Sequence, residues 1–314
     1  MGALNIMIFS GNFKQGLFRA MLAGGLLTVN AGMPSLAQTQ TLDSVPASVA
    51  GLKPQGEFIT FGFSTADWGR DWDILLLIET LQEIGINQVE LGEGHAHEIS
   101  PALTPGQRTT RRDQFQEAGI LVTGMQLTSK VTAEDEASIA TLVDNLKQTI
   151  RLSHDVGGSG VRVNLGDLKG DTALIANTAK ALKEMGEFAI GFGQEIRVEA
   201  WAGDTSLDDL VAVLKATNDD QVRIAFGVRN AEKGGEKVKE DFAKVQPYLG
   251  GVVLIETQPS SEAAPFAALA NLLVEADYDG RVVLTTKAAA IDVKTDIVQQ
   301  KTIWEQQIKK ARTP

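Results

Sequence analysis

Residues 89–100 read VELGEGHAHEIS. His95 and His97 stand two apart in this stretch, among Glu90, Glu93 and Glu98. Imidazoles and carboxylates are the side chains that most often ligate metals and move protons. A His-x-His pair supplies two metal ligands if later segments bring others. Otherwise the loop is simply polar, with His95 touching a substrate or with neither histidine touching anything. The remaining histidine, His154, falls late in a predicted helix before Gly157. A helix C-terminus favours positive charge, so His154 reads as structural. No histidine follows it in the chain.

From Glu57 onward, eight short runs rich in β-branched residues alternate with longer segments of helical periodicity. The predicted strands are EFITFGFS (57–64), NQVEL (87–91), ILVTGMQL (120–127), GVRVNL (160–165), EIRVEAW (195–201), VRIAFG (222–227), GVVLIET (251–257) and RVVLTT (281–286). The predicted helices include 71–85, 133–157, which is long enough to be two pieces, and 171–193. Thr104-Pro105, Thr132, and Ser206 with Asp209 have the character of helix starts. Gly85, Gly119, Gly157 and Gly193 fall just past helix ends, where a left-handed residue is wanted.

Strict alternation predicts a parallel sheet covered by helices. Eight units in about 250 residues is the size of a (β/α)8 TIM barrel. An open doubly wound sheet would favour a glycine-rich phosphate loop after its first strand. That loop here is STADWGRDWD, without GxGxxG, so the barrel is the better expectation. Active sites of such barrels lie at the carboxyl ends of the strands. The polar or aromatic residues there are Ser64, Asp67, Trp68, Glu90, Glu93, His95, His97, Gln126, Asn164, Glu199, Trp201, Arg229, Asn230, Glu256, Gln258, Thr285, Thr286 and Lys287.

The run from Val89 to Gly124, with VELGEGH followed by SPALTPGQRTTRRDQFQEAGILVTG, resembles the second and third units of the xylose isomerase-like TIM-barrel superfamily. VGGSGVRVNLG, IRVEAW and SLDDLVAVLKATNDDQVRIAFGVRNA extend the resemblance over roughly residues 57–290. It implies isomerisation or epimerisation of a sugar or sugar phosphate, by proton transfer next to a carbonyl. It also implies one divalent ion (Mn, Mg or Zn) held by a Glu after strand five, an Asp after strand six, a His after strand seven and a Glu after strand eight. Glu199 matches the first ligand. The others fall on Gly227, on the Val252–Leu254 segment, and near Thr285, so three of the four are absent and no bound metal or other cofactor is expected. Asn230 stands where the pattern often has Asn or His, and His95 matches a frequent His after the strand-two Glu.

Three readings stay open. The chain is a non-catalytic relative that keeps a sugar pocket, or it moves protons without metal through Glu90, Glu199 or Glu256, or its site has shifted to the strand-two loop. Glu90, Glu199 and His95 are the candidate catalytic residues, with an ion pair to Arg162 or Arg197 as the alternative for Glu199. Trp68, Asn164, Trp201, Asn230, Glu256 and Lys287 are candidate substrate contacts. Trp68, Trp72 and Trp201 could stack on a sugar ring or pack the barrel rim. Lys287 could act as an electrophile if buried, but surface lysines are commoner.

The chain has 314 residues and a formal charge of −11, which disfavours nucleic acid and anionic membranes as partners. A small carbohydrate is the expected ligand. Lys14 and Arg19 precede the apolar run Ala20–Val29, and Ser35-Leu36-Ala37 offers a cleavage site before Gln38. That order predicts a signal peptide over 1–37 and export to the periplasm or beyond, with no membrane attachment after cleavage. A buried N-terminal helix or an uncleaved anchor is the alternative. Residues 38–56 read as a linker and 57–314 as the barrel. With no Cys, the chain has neither disulfides nor a lipobox.

Overall fold

The computed structural model describes residues 58–133, 135–204, 206–229, 235–256, 264–286 and 292–313. The expected signal peptide and linker lie outside these residues, as do Asn230 and Lys287.

Eight parallel strands close into a barrel in chain order. They are β1 (Thr60–Ser64), β2 (Gln88–Gly92), β3 (Leu121–Lys130), β4 (Gly160–Asn164), β5 (Glu195–Trp201), β6 (Val222–Arg229), β7 (Leu249–Glu256) and β8 (Arg281–Thr286). β8 pairs back onto β1 through Thr60↔Arg281 to Phe63↔Leu284, so no sheet edge remains. The helices are α1 (Ile74–Glu83), α2 (Pro105–Glu117), α3 (Glu136–Asp155), α4 (Thr172–Ile190), α5 (Leu207–Thr217), α6 (Gly235–Val245), α7 (Ala264–Glu275) and α8 (Val293–Ala311). This is the (β/α)8 fold that the alternation predicts. Among the described residues no helix is long and apolar enough to cross a membrane.

The period-two alternation of each strand sorts its side chains between two environments. Val161 and Val163, Ile196 and Val198, Ile224 and Phe226, Val252 and Leu254, and Val282 and Leu284 join the main core. That core lies between barrel and helices. The intervening residues face the lumen, and there the barrel divides. Ser64, Glu90, Gln126, Arg162, Asn164 and Glu199 bond one another across β1 to β5. Trp201, Ala225, Val253 and Ile255 form a separate apolar cluster on β5 to β7.

Several local expectations change. The segment over 133–157 is one helix, capped by Asp135 and not by Thr132. The Asp135 carboxylate accepts from the Ser138 N–H, whereas the Thr132 hydroxyl donates to the Leu165 carbonyl. Ser206 sits at the start of α5 without a side-chain cap bond, and Asp209 instead accepts from the Gly170 N–H at 2.8 Å. Thr104 does form a reciprocal capping box with Gln107. Gly85, Gly119 and Gly157 follow the caps of α1, α2 and α3 with φ of 65°, 71° and 92°, the left-handed geometry that ends a helix cheaply.

Candidate functional site at the barrel mouth

Among the described residues, the most connected side chain in the lumen is Arg162, on β4 between two core valines and 2% exposed. Its Nε donates to both Glu90 oxygens at 3.1 and 2.9 Å, and one terminal nitrogen also reaches Glu90. The other terminal nitrogen donates to Glu199 Oε1 at 2.6 Å. Gln126 Oε1 accepts from the guanidinium at 2.7 Å, and Ser64 Oγ lies at 3.4 Å. Glu90 and Glu199 are 4% and 8% exposed. An ionised group at this depth is tolerated only when paired and hydrogen-bonded. Burial alone would push the Arg162 guanidinium down, but Glu90 and Glu199 outweigh it and hold the group above the ordinary arginine value.

Glu199 has little free accepting capacity. Its Oε1 also accepts from Gln126 Nε2 at 3.1 Å, and its Oε2 accepts from Asn164 Nδ2 at 3.0 Å. Asn164 Oδ1 in turn accepts from the Gly166 N–H at 2.7 Å. At the β8–β1 seam, Thr285 on β8 donates to Asp67 in the loop after β1.

On the opposite wall Trp201 pairs in register with Gly227. A Cβ built on Gly227 would fall 2.0 Å from two ring carbons of the indole. The Arg229 guanidinium carbon lies 4.9 Å from the centre of the same ring. Strand seven turns Val253 and Ile255 to the lumen, and Val252 and Leu254 to the helices. The expected strand-seven ligand position, at Val252 or Leu254, therefore faces the helices, and the lumen-facing pair is equally apolar.

The two histidines of the β2–α2 loop differ. His97 is 1% exposed. Its Nδ1 accepts from the Ile99 N–H at 3.1 Å, which leaves the ring proton on Nε2, facing Thr65 Oγ1 at 3.5 Å. Thr65 Oγ1 also accepts from the Gly92 N–H at 2.8 Å, so His97 braces the ends of β1 and β2. Burial, then the neighbouring His95, pushes the His97 imidazole down to about 4. His95 packs over Gly92, where a Cβ would fall 2.1 Å from its ring. Its Nδ1 has no hydrogen-bond partner among the described residues. Burial, then Arg70, lowers its pKa. The ring centres lie 5.8 Å apart, with both His97 nitrogens facing protein atoms.

Of the other candidates, Trp68 is 8% exposed within the main core, on the rim-packing side of its two readings. Glu93 is half-buried and takes the Thr149 hydroxyl at 3.4 Å, and burial raises its pKa against that bond. Glu256 ends β7 opposite Thr286, and its side chain is outside the described set. His154 in the last turn of α3 contacts Asp155 and the edge of Phe192, as a structural histidine would.

A family profile described as xylose isomerase-like TIM barrel matches residues 78–313. The chain belongs to the xylose isomerase-like TIM-barrel family. No curated protein matches it. Among solved structures, this xylose isomerase-like chain is similar to D-allulose 3-epimerase from Methylomonas sp., at 16% identity and a TM-score of 0.64, covering 79% of this chain and 98% of that one. It is also similar to 3-keto-D-glucoside 4-epimerase from E. coli, at 16% identity and a TM-score of 0.59, covering 82% and 100%. A third is the IOLI protein with a bound zinc atom, at 12% identity and a TM-score of 0.62, covering 82% and 100%. At these identities the likeness is one of fold.

The xylose isomerase-like barrel thus brings Glu90, Asn164 and Glu199 into one network and leaves His95 outside it. Arg162, expected only as an alternative ion-pair partner of Glu199, organises the network; an arginine between two valines in a buried strand is the signal of a charged lumen. The Trp201–Gly227 contact has no such signal, because it depends on the pairing of β5 with β6.

Proposed function

We propose that this chain is a carbohydrate-binding member of its family in which metal-dependent proton transfer has been given up. Family membership and the fold likeness to sugar epimerases support a small polyhydroxylated ligand. The observation that carries the loss of metal chemistry is Arg162 clamped between Glu90 and Glu199. At the positions corresponding to the family's metal ligands, this chain offers Glu199, Gly227, Val253 with Ile255, and Thr285. These residues do not fit a divalent ion. The carboxylate is already bonded to Arg162, Gln126 and Asn164. The space beside Gly227 holds the Trp201 ring. Hard ions require several oxygen ligands, and one engaged carboxylate does not supply them. Among the described residues no three His, Cys, Asp or Glu side chains stand close enough to share an ion.

Metal-free proton transfer by Glu90 or Glu199 is disfavoured by the same geometry. A general base must offer a free lone pair within reach of the substrate proton. Here each would first have to break a charge-assisted bond to Arg162. What remains is a polar wall of Ser64, Gln126, Arg162 and Asn164 on β1 to β4, whose donors and acceptors suit the hydroxyl groups of a polyol. The proposal includes export directed by residues 1–37.

Calorimetric titration of D-allulose and D-fructose into the full chain, with and without EDTA, tests this reading. Saturable binding that EDTA leaves unchanged, with no interconversion of the sugars, is expected. Interconversion that EDTA abolishes would overturn it.

A further inference from the structure

The lower, amino-terminal end of a TIM barrel is ordinarily packed and serves stability. Here it opens into a cavity of about 620 Å³ that runs up to Glu90 and Arg162. That volume lies within the range of small-molecule sites. The opening exists because bulky lumen residues are missing near the amino-terminal ends of β6 and β7, where Ala225, Gly250 and Gly251 line the space. Gly160, under the Arg197 side chain, is sterically required, since a Cβ there would fall 2.7 Å from the Glu195 carbonyl oxygen and 2.9 Å from the Arg197 guanidinium carbon.

Two arginines converge on one hydroxyl in this cavity. Arg197 Nη2 donates to Ser159 Oγ at 3.0 Å, and Arg281 Nη1 donates to the same oxygen at 2.6 Å. The Ser159 hydroxyl itself donates to the Thr123 carbonyl at 3.1 Å, and the two arginines occupy both of its lone pairs, so it can accept nothing further. Arg197 is well supplied, by Glu195 at 2.9 Å and by the Thr123 and Ser159 carbonyls at 3.3 Å each. Arg281 is not. Its guanidinium has five N–H donors, and the Ser159 hydroxyl is its only side-chain hydrogen-bond acceptor among the described residues. No carboxylate pairs with it there, although Glu195 lies nearby and the exposed Asp279 stands on the cavity rim. Burial, then the adjacent Arg197 charge, pushes the Arg281 pKa down, as expected of a cation lacking its counter-charge.

We propose that this lower cavity is a second ligand site, opening at the other end of the barrel from the mouth, which takes a small oxyanion carried on a polyol, with Arg281 holding the anion and the adjacent Arg197 adding its charge. A planar guanidinium fork matches a carboxylate or a phosphate. Thr60, Gln88 and Gln221 on the wall supply polar groups for hydroxyls. An aldonic or uronic acid satisfies both requirements, and the inference does not depend on the reading of the mouth.

The test is calorimetric titration of the full chain with D-glucuronate, D-glucose and inorganic phosphate. D-Glucuronate is expected to bind at least tenfold more tightly than D-glucose, which has the same ring without the charge. Phosphate is expected to compete with it. Arg281→Gln should weaken D-glucuronate at least tenfold while leaving ketohexose binding at the mouth unchanged, which separates failure here from failure of the mouth reading. Gly251→Val fills the space from β7 while keeping both charges, and should also abolish D-glucuronate binding. Its Cβ would meet only Arg197 Cδ, at an ordinary 3.7 Å. No binding by either anion, or equal D-glucuronate binding by the parent and both variants, would overturn the proposal.

Discussion

The Trp201 indole fills the space that a side chain at Gly227 would need: a Cβ there would sit 2.0 Å from the ring. The register Trp201↔Gly227 makes the two positions complementary, with a large residue on β5 and none on β6. Restoring a carboxylate at Gly227 therefore cannot by itself rebuild an ion site. Gly227→Asp is expected to lower stability by about 1–3 kcal/mol through overpacking alone, and more if the carboxylate is left unpaired. In a Trp201→Ala background the added cost of Gly227→Asp should be smaller. Thermal melting of the four variants of this cycle measures the coupling. Additive losses would contradict the steric account.

Arg162 compensates two buried carboxylates at once. Arg162→Met leaves both without their counter-charge, and a loss of about 3–5 kcal/mol is expected. Arg162→Lys keeps the charge but not the fork, so it should fall between the parent and Arg162→Met. Urea unfolding of the three proteins checks the order. A Met variant as stable as the parent would mean that the ion triad is not the organising element of the lumen.

His97 gives the barrel a pH dependence of known sign. Its folded pKa is about 4, below the ordinary 6.5. Between those values the unfolded chain takes a proton that the folded chain refuses. The stability contributed by neutral His97 is thus complete above about pH 6.5 and is lost as pH falls toward 4, by on the order of 3 kcal/mol. His97→Gln should flatten that part of the profile. Equal slopes in the parent and variant between pH 6.5 and 4 would refute the assignment.

Gly92 makes room for His95, whose ring would meet a Cβ at 2.1 Å. Gly92→Ala should cost about 1–3 kcal/mol by overpacking, and much less in a His95→Ala background. Melting temperatures report both. An unchanged cost in that background would place the strain elsewhere.

These contacts differ in how far the sequence announces them. The barrel is legible because β-branched runs and helical segments alternate eight times. Arg162 is legible as a charged lumen position because valines flank it on both sides. The faces of strand seven are not legible. In GVVLIE every residue is apolar or small until Glu256, so nothing in the pattern separates Val252 and Leu254 from Val253 and Ile255. His97 and His95 look alike in sequence, and only the Ile99 amide and the Thr65 hydroxyl distinguish them. The Asp135 cap displaces Thr132 for a similar reason, since both residue types cap well and only the loop geometry selects one. The Trp201–Gly227 and Arg197–Arg281 pairings need the barrel's register and closure, which local pattern does not contain.

The central claim is that Arg162 has taken the place of metal-dependent chemistry among these carboxylates. Deuterium incorporation into a ketohexose in D2O, followed by mass spectrometry with the full chain and a stoichiometric excess of Mn²⁺, tests it most directly. The account predicts incorporation no faster than in the protein-free control, with or without Mn²⁺. Incorporation that requires Mn²⁺ and disappears in Glu199→Ala would contradict it.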